Sequence, residues 1–235
     1  MTMEHLLKEQ TEVKVLDYGH VHLVDYMGSD LSVVNAARVS FNKESSFDDE
    51  GNLKERDEKL IKYLHEHNHF TPFCHATISL RVKCPIFVRA QLGKHQIGLT
   101  MNEVSRRYVT YEPEVYTPYW RYAPTNGAKQ GSSDKVEDPD LCARLMQEYI
   151  TVADECIKMY NHLIADGIAP EQARSILPQG TYTEFIWTGS LYAFARVYSL
   201  RIDAHAQWEI QKYAEAIDKI IAPIFPVSWK HLTTK

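Results

Sequence analysis

The chain has 235 residues and a mass of 27.1 kDa, enough for one well-buried core, so we expect a single domain over residues 1–235. Hydrophobic residues make up 44% and charged residues 24%, proportions that exclude a disordered or fibrous protein. The net charge of -5 excludes a broad basic field for a nucleic acid polymer, and no apolar run approaches the roughly 20 residues of a membrane span.

The first elements are predicted by alternation and by capping residues. Residues 12–25 alternate apolar and polar side chains around Tyr18, which predicts a strand, a turn and a second strand. Asp30 or Ser32 is expected to cap the helix that follows. The polar residues 42–51 predict a loop.

The next helix and strand are predicted in the same way. Asn52 with Glu55 three residues later resembles a capping box, and this helix should end near Asn68. Residues 76–84 read as a strand, and Pro85 is well placed in the first turn of a helix after it.

The second half of the chain is predicted to be mainly helical. Residues 121–139 form the longest predicted loop, and apolar residues then recur at three- and four-residue steps from Leu141 to Leu163. A short helix, a β-rich run at residues 181–190, a helix from Leu191 and a last long helix complete the prediction. Separated strands and long helices without βαβ alternation favour an α+β fold.

The cysteines and the amino terminus predict the compartment. The four cysteines form no CxxC pair, and the first residues lack the apolar segment of a signal peptide. We therefore expect a cytoplasmic protein with free thiols. Cys84 ends a strand-like run, which favours a small buried thiol over a nucleophile.

Residues 65–69, HEHNH, satisfy the HExxH pattern of zinc hydrolases. That pattern requires His65 and His69 on one continuous helix, whereas Asn68 and Pro72 predict that the helix ends there. A solvated helix end is therefore favoured over a zinc site, and metal analysis of the purified protein separates the two.

Three arginines suggest a local anion site. Arg107, Arg174 and Arg201 each stand in a distinctive stretch, and the planar guanidinium matches a phosphate or the edge of a pyrimidine. Taken singly, each is more often a surface or ion-pair residue. The hydroxyl and neighbouring amides of Ser105 would complete such a site.

Six stretches in order carry a family resemblance: DLSVVNAARVSF, HFTPFCH, PIFVRAQLGKHQ, NEVSRRY, ARSILP and LRIDAHAQWEIQ. From about Val15 to Phe225 the chain closely resembles the flavin-dependent thymidylate synthases. The resemblance implies the thymidylate synthase-complementing protein fold, with a central, largely antiparallel sheet flanked by long helices. It also implies that the protein makes dTMP from dUMP, with FAD as cofactor and with NADPH and methylenetetrahydrofolate as co-substrates. The family forms homotetramers whose active sites are shared between subunits.

The resemblance also assigns site residues. It implies that Arg201 is catalytic, by facing the uracil edge. The residues it places on dUMP are Gln91, Leu92, Gly93, Lys94, Glu103, Val104, Ser105, Arg106, Arg107, Arg174 and Arg201. Those it places on FAD are Ser40, Thr71, Lys94, His95, Gln96, Glu103, Ser190, Tyr192 and Arg196. His69 corresponds to a family histidine near the flavin and the folate, so no metal is implied.

The chain departs from the family's Arg-His-Arg motif. It carries Lys94, His95 and Gln96, and eight residues instead of seven separate Gln96 from Ser105. Glutamine loses a charge and lysine loses the bidentate fork, so flavin or phosphate binding should weaken unless Arg106 or Arg196 compensates. A relative that releases a different product from dUMP, such as hydroxymethyl-dUMP, and an inactive nucleotide-binding homologue therefore remain as alternatives.

Overall fold

A computed structural model describes residues 11–125 and 131–234. The amino-terminal segment, for which the absence of a signal peptide was expected, and the middle of the predicted 121–139 loop lie outside the described residues. None of the helices within them is long and apolar enough to cross a membrane.

One antiparallel sheet forms the centre of the fold. Its five strands are β1 (Glu12–Val15), β2 (Gly19–Met27), β3 (Thr77–Pro85), β4 (Leu99–Glu103) and β5 (Tyr182–Ser190). They lie in the order β1-β2-β3-β5-β4, and every neighbouring pair is antiparallel. The predicted strand pair at residues 12–25 is therefore confirmed, and the turn between the two strands includes Tyr18.

Helices of very different lengths accompany the sheet. They are α1 (Asp30–Arg38), α2 (Glu55–Glu66), α3 (Ile86–Leu92), α4 (Pro139–Ala165), α5 (Pro170–Ala173), α6 (Leu191–Arg201), α7 (Trp208–Ile221) and α8 (Pro226–Thr233). The long amphipathic helix α4 is confirmed, and Gly167 follows it with a φ of +79°, the left-handed geometry that ends helices. The predicted α+β class is thus the observed one.

Of the two residues offered as the cap of α1, Ser32 takes part in the cap and Asp30 does not, and the capping prediction for Asn52 was wrong. Ser29 is the N-cap of α1, and the Ser32 hydroxyl accepts the Ser29 backbone N–H at 3.0 Å in the capping box. The carboxylate of Asp30 instead accepts hydrogen bonds from the amides of Val227 and Ser228 at the start of α8. Lys54 is the N-cap of α2, and the side-chain amide of Asn52 donates to Glu50 in the preceding loop instead. A carboxylate near helix amides is stabilised electrostatically whichever helix it serves, and sequence distance does not show which.

The central strands form the hydrophobic core. Along β3, Ile78, Leu80, Val82 and Cys84 are fully buried and alternate with less buried residues, and Trp187 of β5 lies among them. Helices α6 and α7 contribute to the same core. The prediction of a buried thiol at Cys84 is confirmed, and burial raises the pKa of that thiol well above its ordinary value.

A buried ion pair joins α1 to α2. Asp57 of α2 is fully buried and accepts hydrogen bonds from the Arg38 guanidinium of α1 and from the Ser45 hydroxyl. Burial raises the pKa of Asp57, but the hydrogen bonds from Ser45 and Arg38 outweigh it, so the net pKa is below its ordinary value. The stabilisation is therefore present above about pH 4 and is lost as the pH falls further.

Replacing Asp57 with Ala should lower the free energy of unfolding by about 3 kcal/mol, because Arg38 keeps a mostly buried charge without its partner. Urea unfolding at fixed protein concentration measures the loss. Lys59→Ala is the control on the same helix, since it breaks an exposed pair with Glu55 and should lose less than about 1 kcal/mol. Equal losses in the two variants would contradict this account.

Candidate functional site

The pairing of β3 with β5 brings two helix ends together. Helix α3 follows β3 directly and α6 follows β5 directly. Pro85 is paired with Tyr182 and Thr77 with Ser190, so the two helices start at opposite ends of the strand ladder. At about 1.5 Å per residue their combined length is close to the roughly 30 Å of a strand of this length. The last residues of α3 and α6 therefore meet.

Arg201, the last residue of α6, contacts the end of α3 and the turn after it. Its Nε donates to Nε2 of His95 at 2.9 Å, and its Nη2 donates to the carbonyl oxygen of Gln91 at 3.4 Å. Burial lowers the pKa of Arg201. Burial, followed by the charges of Arg201 and Arg196, lowers the pKa of His95 to about 4. His95 is therefore neutral at pH 7 and able to accept the guanidinium N–H.

The variant motif lies in the turn after α3. Leu92 is buried in the core and Gly93 is the C-cap, where its amide bonds back to Arg89. Lys94 and Gln96 are exposed, whereas His95 is half-buried. The two departures from the family motif thus face solvent within this chain.

Strand β4 was missed by the sequence analysis, and it positions the second group of predicted residues. Glu103, its last residue, forms an ion pair with Arg89 of α3 at 2.7 Å and accepts the Thr183 hydroxyl at 2.8 Å. The amide of Val104 then bonds to the carbonyl of Glu184, which extends the pairing by one residue. The chain is held to β5 up to the start of the Ser105 turn.

Ser105 begins a tight turn that carries two arginines. Its carbonyl accepts the amides of Tyr108 and Val109, and its hydroxyl accepts the amide of Arg107 at 3.3 Å. Arg107 is exposed and pairs with Glu171 of α5 at 3.2 Å. The serine hydroxyl and neighbouring amides predicted for an anion site do lie together, although Arg107 has a carboxylate partner in this structure.

Arg106 is held between aromatic rings. Its guanidinium lies 4.7 Å from the ring centre of Tyr111 and 5.8 Å from that of Tyr160, and its Nη1 donates to the Tyr111 carbonyl. Its Nη2 is buried and has no hydrogen-bond partner among the described residues. Arg106 lines a pocket of about 110 Å³ with Glu103 and with the exposed Arg174.

The predicted flavin residues of α6 line a separate pocket of about 400 Å³. Tyr192 stacks on Phe70 with ring centres 5.2 Å apart, and Arg196 lines the same pocket. Ser190 is the N-cap of α6, where its hydroxyl accepts the amide of Ala193 at 3.2 Å.

The remaining predicted residues lie in short exposed segments. Ser40 and Thr71 belong to the 3₁₀ turns Val39–Phe41 and Thr71–Cys74. Helix α2 ends at Glu66 and Asn68 has a φ of +58°, so His69 does not lie on the helix that carries His65. The geometry that HExxH requires is therefore absent.

Gln207 lines the Arg201 cavity and Glu209 contacts Gln207, although the sequence analysis singled out neither residue. Gln207, Gln91 and Arg201 line a pocket of about 570 Å³. Glu209 is buried beside them and binds Gln207. A charged residue at a buried position of the helical pattern of α7 was the available signal.

The predicted residues thus form three groups within the described part of the chain. The pocket of Arg106 and Arg174 shares no lining residue with the pocket of Arg201 and Gln91. It also shares none with the pocket of Tyr192 and Arg196. The single chain brings Arg201, Gln91 and His95 into contact but leaves Arg106 of the Ser105 turn in a different pocket.

The chain is similar to proteins of known activity. Residues 22–227 match the family model described as thymidylate synthase complementing protein. A flavin-dependent thymidylate synthase from Kosmotoga olearia is 40% identical to it, over 93% of this chain and 92% of that protein. Another from Thermosipho africanus is also 40% identical, over 89% of this chain and 88% of that protein. The crystal structure of a UMP/dUMP methylase from Streptomyces cacaoi bound with 5-Br dUMP is 28% identical, with a TM-score of 0.79 over 94% of this chain and 97% of that chain.

The lowered pKa of His95 predicts a pH effect on stability. The unfolded chain binds a proton at His95 near pH 6.5 and the folded chain only near pH 4, so His95 destabilises the fold as the pH falls through this window. His95→Gln keeps a neutral acceptor for Arg201 but does not titrate. We expect its urea midpoint to fall less steeply between pH 6.5 and pH 4.5 than that of the wild type. Parallel curves would show that His95 titrates normally.

Proposed function

We infer the chemistry of this protein from its family, since the chain belongs to the thymidylate synthase complementing proteins, the flavin-dependent thymidylate synthases. It is a flavin-dependent methyltransferase that makes dTMP from dUMP. The structural observation that supports this function most directly is the guanidinium of Arg201, held at the edge of a cavity by His95 and Gln91.

The finer parts of the reaction are proposals. FAD is the flavin, methylenetetrahydrofolate supplies the carbon, and NADPH reduces the flavin. The S. cacaoi methylase binds 5-Br dUMP. We propose that dUMP binds here to the residues at the end of α3, the Ser105 turn, Arg174 and Arg201, contributed by more than one copy of the chain. A phosphate suits the turn, because it offers a serine hydroxyl, backbone amides and nearby arginines.

The α6 pocket suits a flavin. Its walls include Phe70, Phe73 and Tyr192, which match a planar aromatic group. Arg196 lines the same pocket and is exposed, so it is accessible to a phosphate. We propose that FAD binds there and is also contacted by Ser40, Thr71, Lys94, His95, Gln96, Glu103 and Ser190, from this chain or from a second copy of it. His69 would lie near the flavin and the folate. The flavin supplies the hydride when it is bound.

Arg201 is proposed to activate the pyrimidine electrostatically. A guanidinium beside the uracil edge stabilises negative charge on that edge and so increases the nucleophilicity of C5, without a covalent bond to the enzyme. Cys84 fits this proposal, since it is fully buried and burial raises its pKa, which disfavours the thiolate.

We propose a homotetramer with shared active sites. Only Ala153 and Tyr160 of α4 are buried, although its apolar residues recur along one side and Val152 is 63% exposed. A second copy of the chain would cover this surface. Sharing would also reunite the Ser105 turn with the Arg201 cavity, which one chain leaves in different pockets.

Two further expectations also stand as proposals. The chain acts as one domain, because the hydrophobic core draws residues from β1 to α8. It works in the cytoplasm, in keeping with four free cysteines.

Replacing Arg201 with Ala should lower kcat by at least about 100-fold, because the group that stabilises charge on the uracil is lost. Cys84→Ala and Cys74→Ala are the controls and should retain turnover if they fold. Steady-state dTMP formation measures all three, with circular dichroism to confirm folding. Loss of turnover in a folded cysteine variant would sink the mechanism without a covalent nucleophile.

The product from dUMP should be dTMP, despite Lys94 and Gln96 in the variant motif. Mass spectrometry separates dTMP from hydroxymethyl-dUMP, because the two differ by one oxygen atom. Detection of the hydroxymethyl nucleotide would instead establish the related activity. A protein that binds dUMP but does not oxidise NADPH in the presence of FAD and the folate would be an inactive homologue.

The protein should be a tetramer of the 27.1 kDa chain by size-exclusion chromatography with light scattering. Val152→Glu places a charge on the exposed apolar side of α4 and should dissociate it and abolish turnover together. Lys158→Glu is a control elsewhere on α4, in an exposed ion pair, and should do neither. An active monomer would refute shared sites.

A further inference from the structure

A chain of hydrogen bonds runs from a buried carboxylate to the Arg201 cavity. Glu209, whose side chain is 4% exposed, accepts a hydrogen bond from Nε2 of Gln207 at 2.9 Å. The Oε1 of Gln207 in turn accepts from Nε2 of Gln91. Gln91 and Gln207 line the same cavity as Arg201, whose Nη2 donates to the Gln91 carbonyl.

The carboxylate fixes the direction of this chain. Glu209 also accepts a hydrogen bond from Arg121 at 2.7 Å and from the Tyr116 hydroxyl at 3.2 Å. Burial, and then the charge of Glu209, raises the pKa of Tyr116, so that its hydroxyl stays protonated and donates. Each side-chain hydrogen-bond partner of Glu209 in the described part of the chain is therefore a donor, and a carboxylate can only accept.

The orientation of two amide groups follows. Gln207 must present its NH₂ group to Glu209, which leaves its oxygen for Gln91. Gln91 must then present its own NH₂ group to Gln207, and its Oε1 has no hydrogen-bond partner among the described residues. An isolated amide can turn over and exchange donor for acceptor, but this one cannot do so without leaving two donors or two acceptors face to face.

We infer that Glu209 is a positioning residue that acts through Gln207 to hold the side-chain oxygen of Gln91 as a hydrogen-bond acceptor for the pyrimidine nucleotide. The cavity then presents an acceptor at Gln91 beside the donors of Arg201. The complementary group on the nucleotide is a donor, either the N3–H of the base or a sugar hydroxyl. This inference rests on the proposed function, because it takes dUMP as the ligand of the cavity.

Glu209→Gln tests the relay in the full-length protein loaded with flavin. An amide at position 209 can donate as well as accept, so the orientation of Gln91 is no longer fixed. We expect the Kd for dUMP to rise about tenfold, the effect of about one hydrogen bond. Gln207→Leu should raise it by a similar factor, and the double variant should be no worse than either single variant, because both changes break one chain.

Tyr116→Phe is the matched control. It removes a hydrogen bond to Oε1 of Glu209 but leaves the bond from Gln207 to Oε2 intact. We expect a lower melting temperature with less than a twofold change in the Kd for dUMP. Arg121→Lys is a second control, because it keeps a positive charge beside Glu209, and it should also change the Kd for dUMP less than twofold.

Two analogues identify the donor on the nucleotide. 3-Deaza-dUMP replaces N3–H with C–H, and 2′,3′-dideoxy-UMP lacks the sugar hydroxyl. One of them should bind the wild type about tenfold more weakly than dUMP and bind Glu209→Gln no worse than dUMP does. If neither analogue behaves in this way, Gln91 accepts no hydrogen bond from the nucleotide and the inference is wrong.

The outcomes separate this inference from the proposed function. A wild-type protein that neither binds nor methylates dUMP would refute the proposed function. A wild type that binds dUMP, with an unchanged Kd in Glu209→Gln or with equal losses in Glu209→Gln and Tyr116→Phe, would refute the relay alone. Additive effects of Glu209→Gln and Gln207→Leu would refute it as well.

Discussion

The antiparallel pairing of β3 with β5 is the constraint on which the rest of the structure depends. The nine-residue ladder runs from Thr77 opposite Ser190 to Pro85 opposite Tyr182, and it includes a contact between the hydroxyls of Ser79 and Thr188 at 2.7 Å. A slip of one residue would turn the buried side of β3 towards the opposite face and shift one helix start by about 3.4 Å relative to the other. The contact between Arg201 and the end of α3 depends on that register.

The local spacing of apolar residues predicted most of the strands and the long helices. Alternation identified β1, β2 and β3, a β-rich composition identified β5, and helical periodicity identified α4 and α7. It missed β4, because five residues on a sheet edge give too short an alternation and the strand is defined by its partner β5. It also assigned Asp30 to the wrong helix, since the amides that Asp30 caps lie almost 200 residues away along the chain and become neighbours only after folding.

The site was predictable to different degrees for the same reason. Motif resemblance supplied the identities of Arg201, Gln91 and His95, and the structure shows these three in contact. Spacing alone gave only a general anion site around Ser105. The role of Glu209 was hidden, because one of its main partners, Arg121, belongs to a predicted loop with no visible relation to α7. A buried charged residue indicates that a partner exists, but the sequence does not show which residue that partner is.

The neutral state of His95 has a consequence for how a ligand gains access to Arg201. A carboxylate at position 95 would form an ion pair with the guanidinium of Arg201. An incoming nucleotide would then have to displace that carboxylate to bind the guanidinium. The imidazole instead orients the guanidinium and accepts one of its hydrogen bonds without neutralising its charge, and no carboxylate among the described residues forms an ion pair with Arg201. Under the proposed function, the electron-rich edge of the nucleotide would then displace only a neutral acceptor and would not compete with a bound carboxylate for the guanidinium.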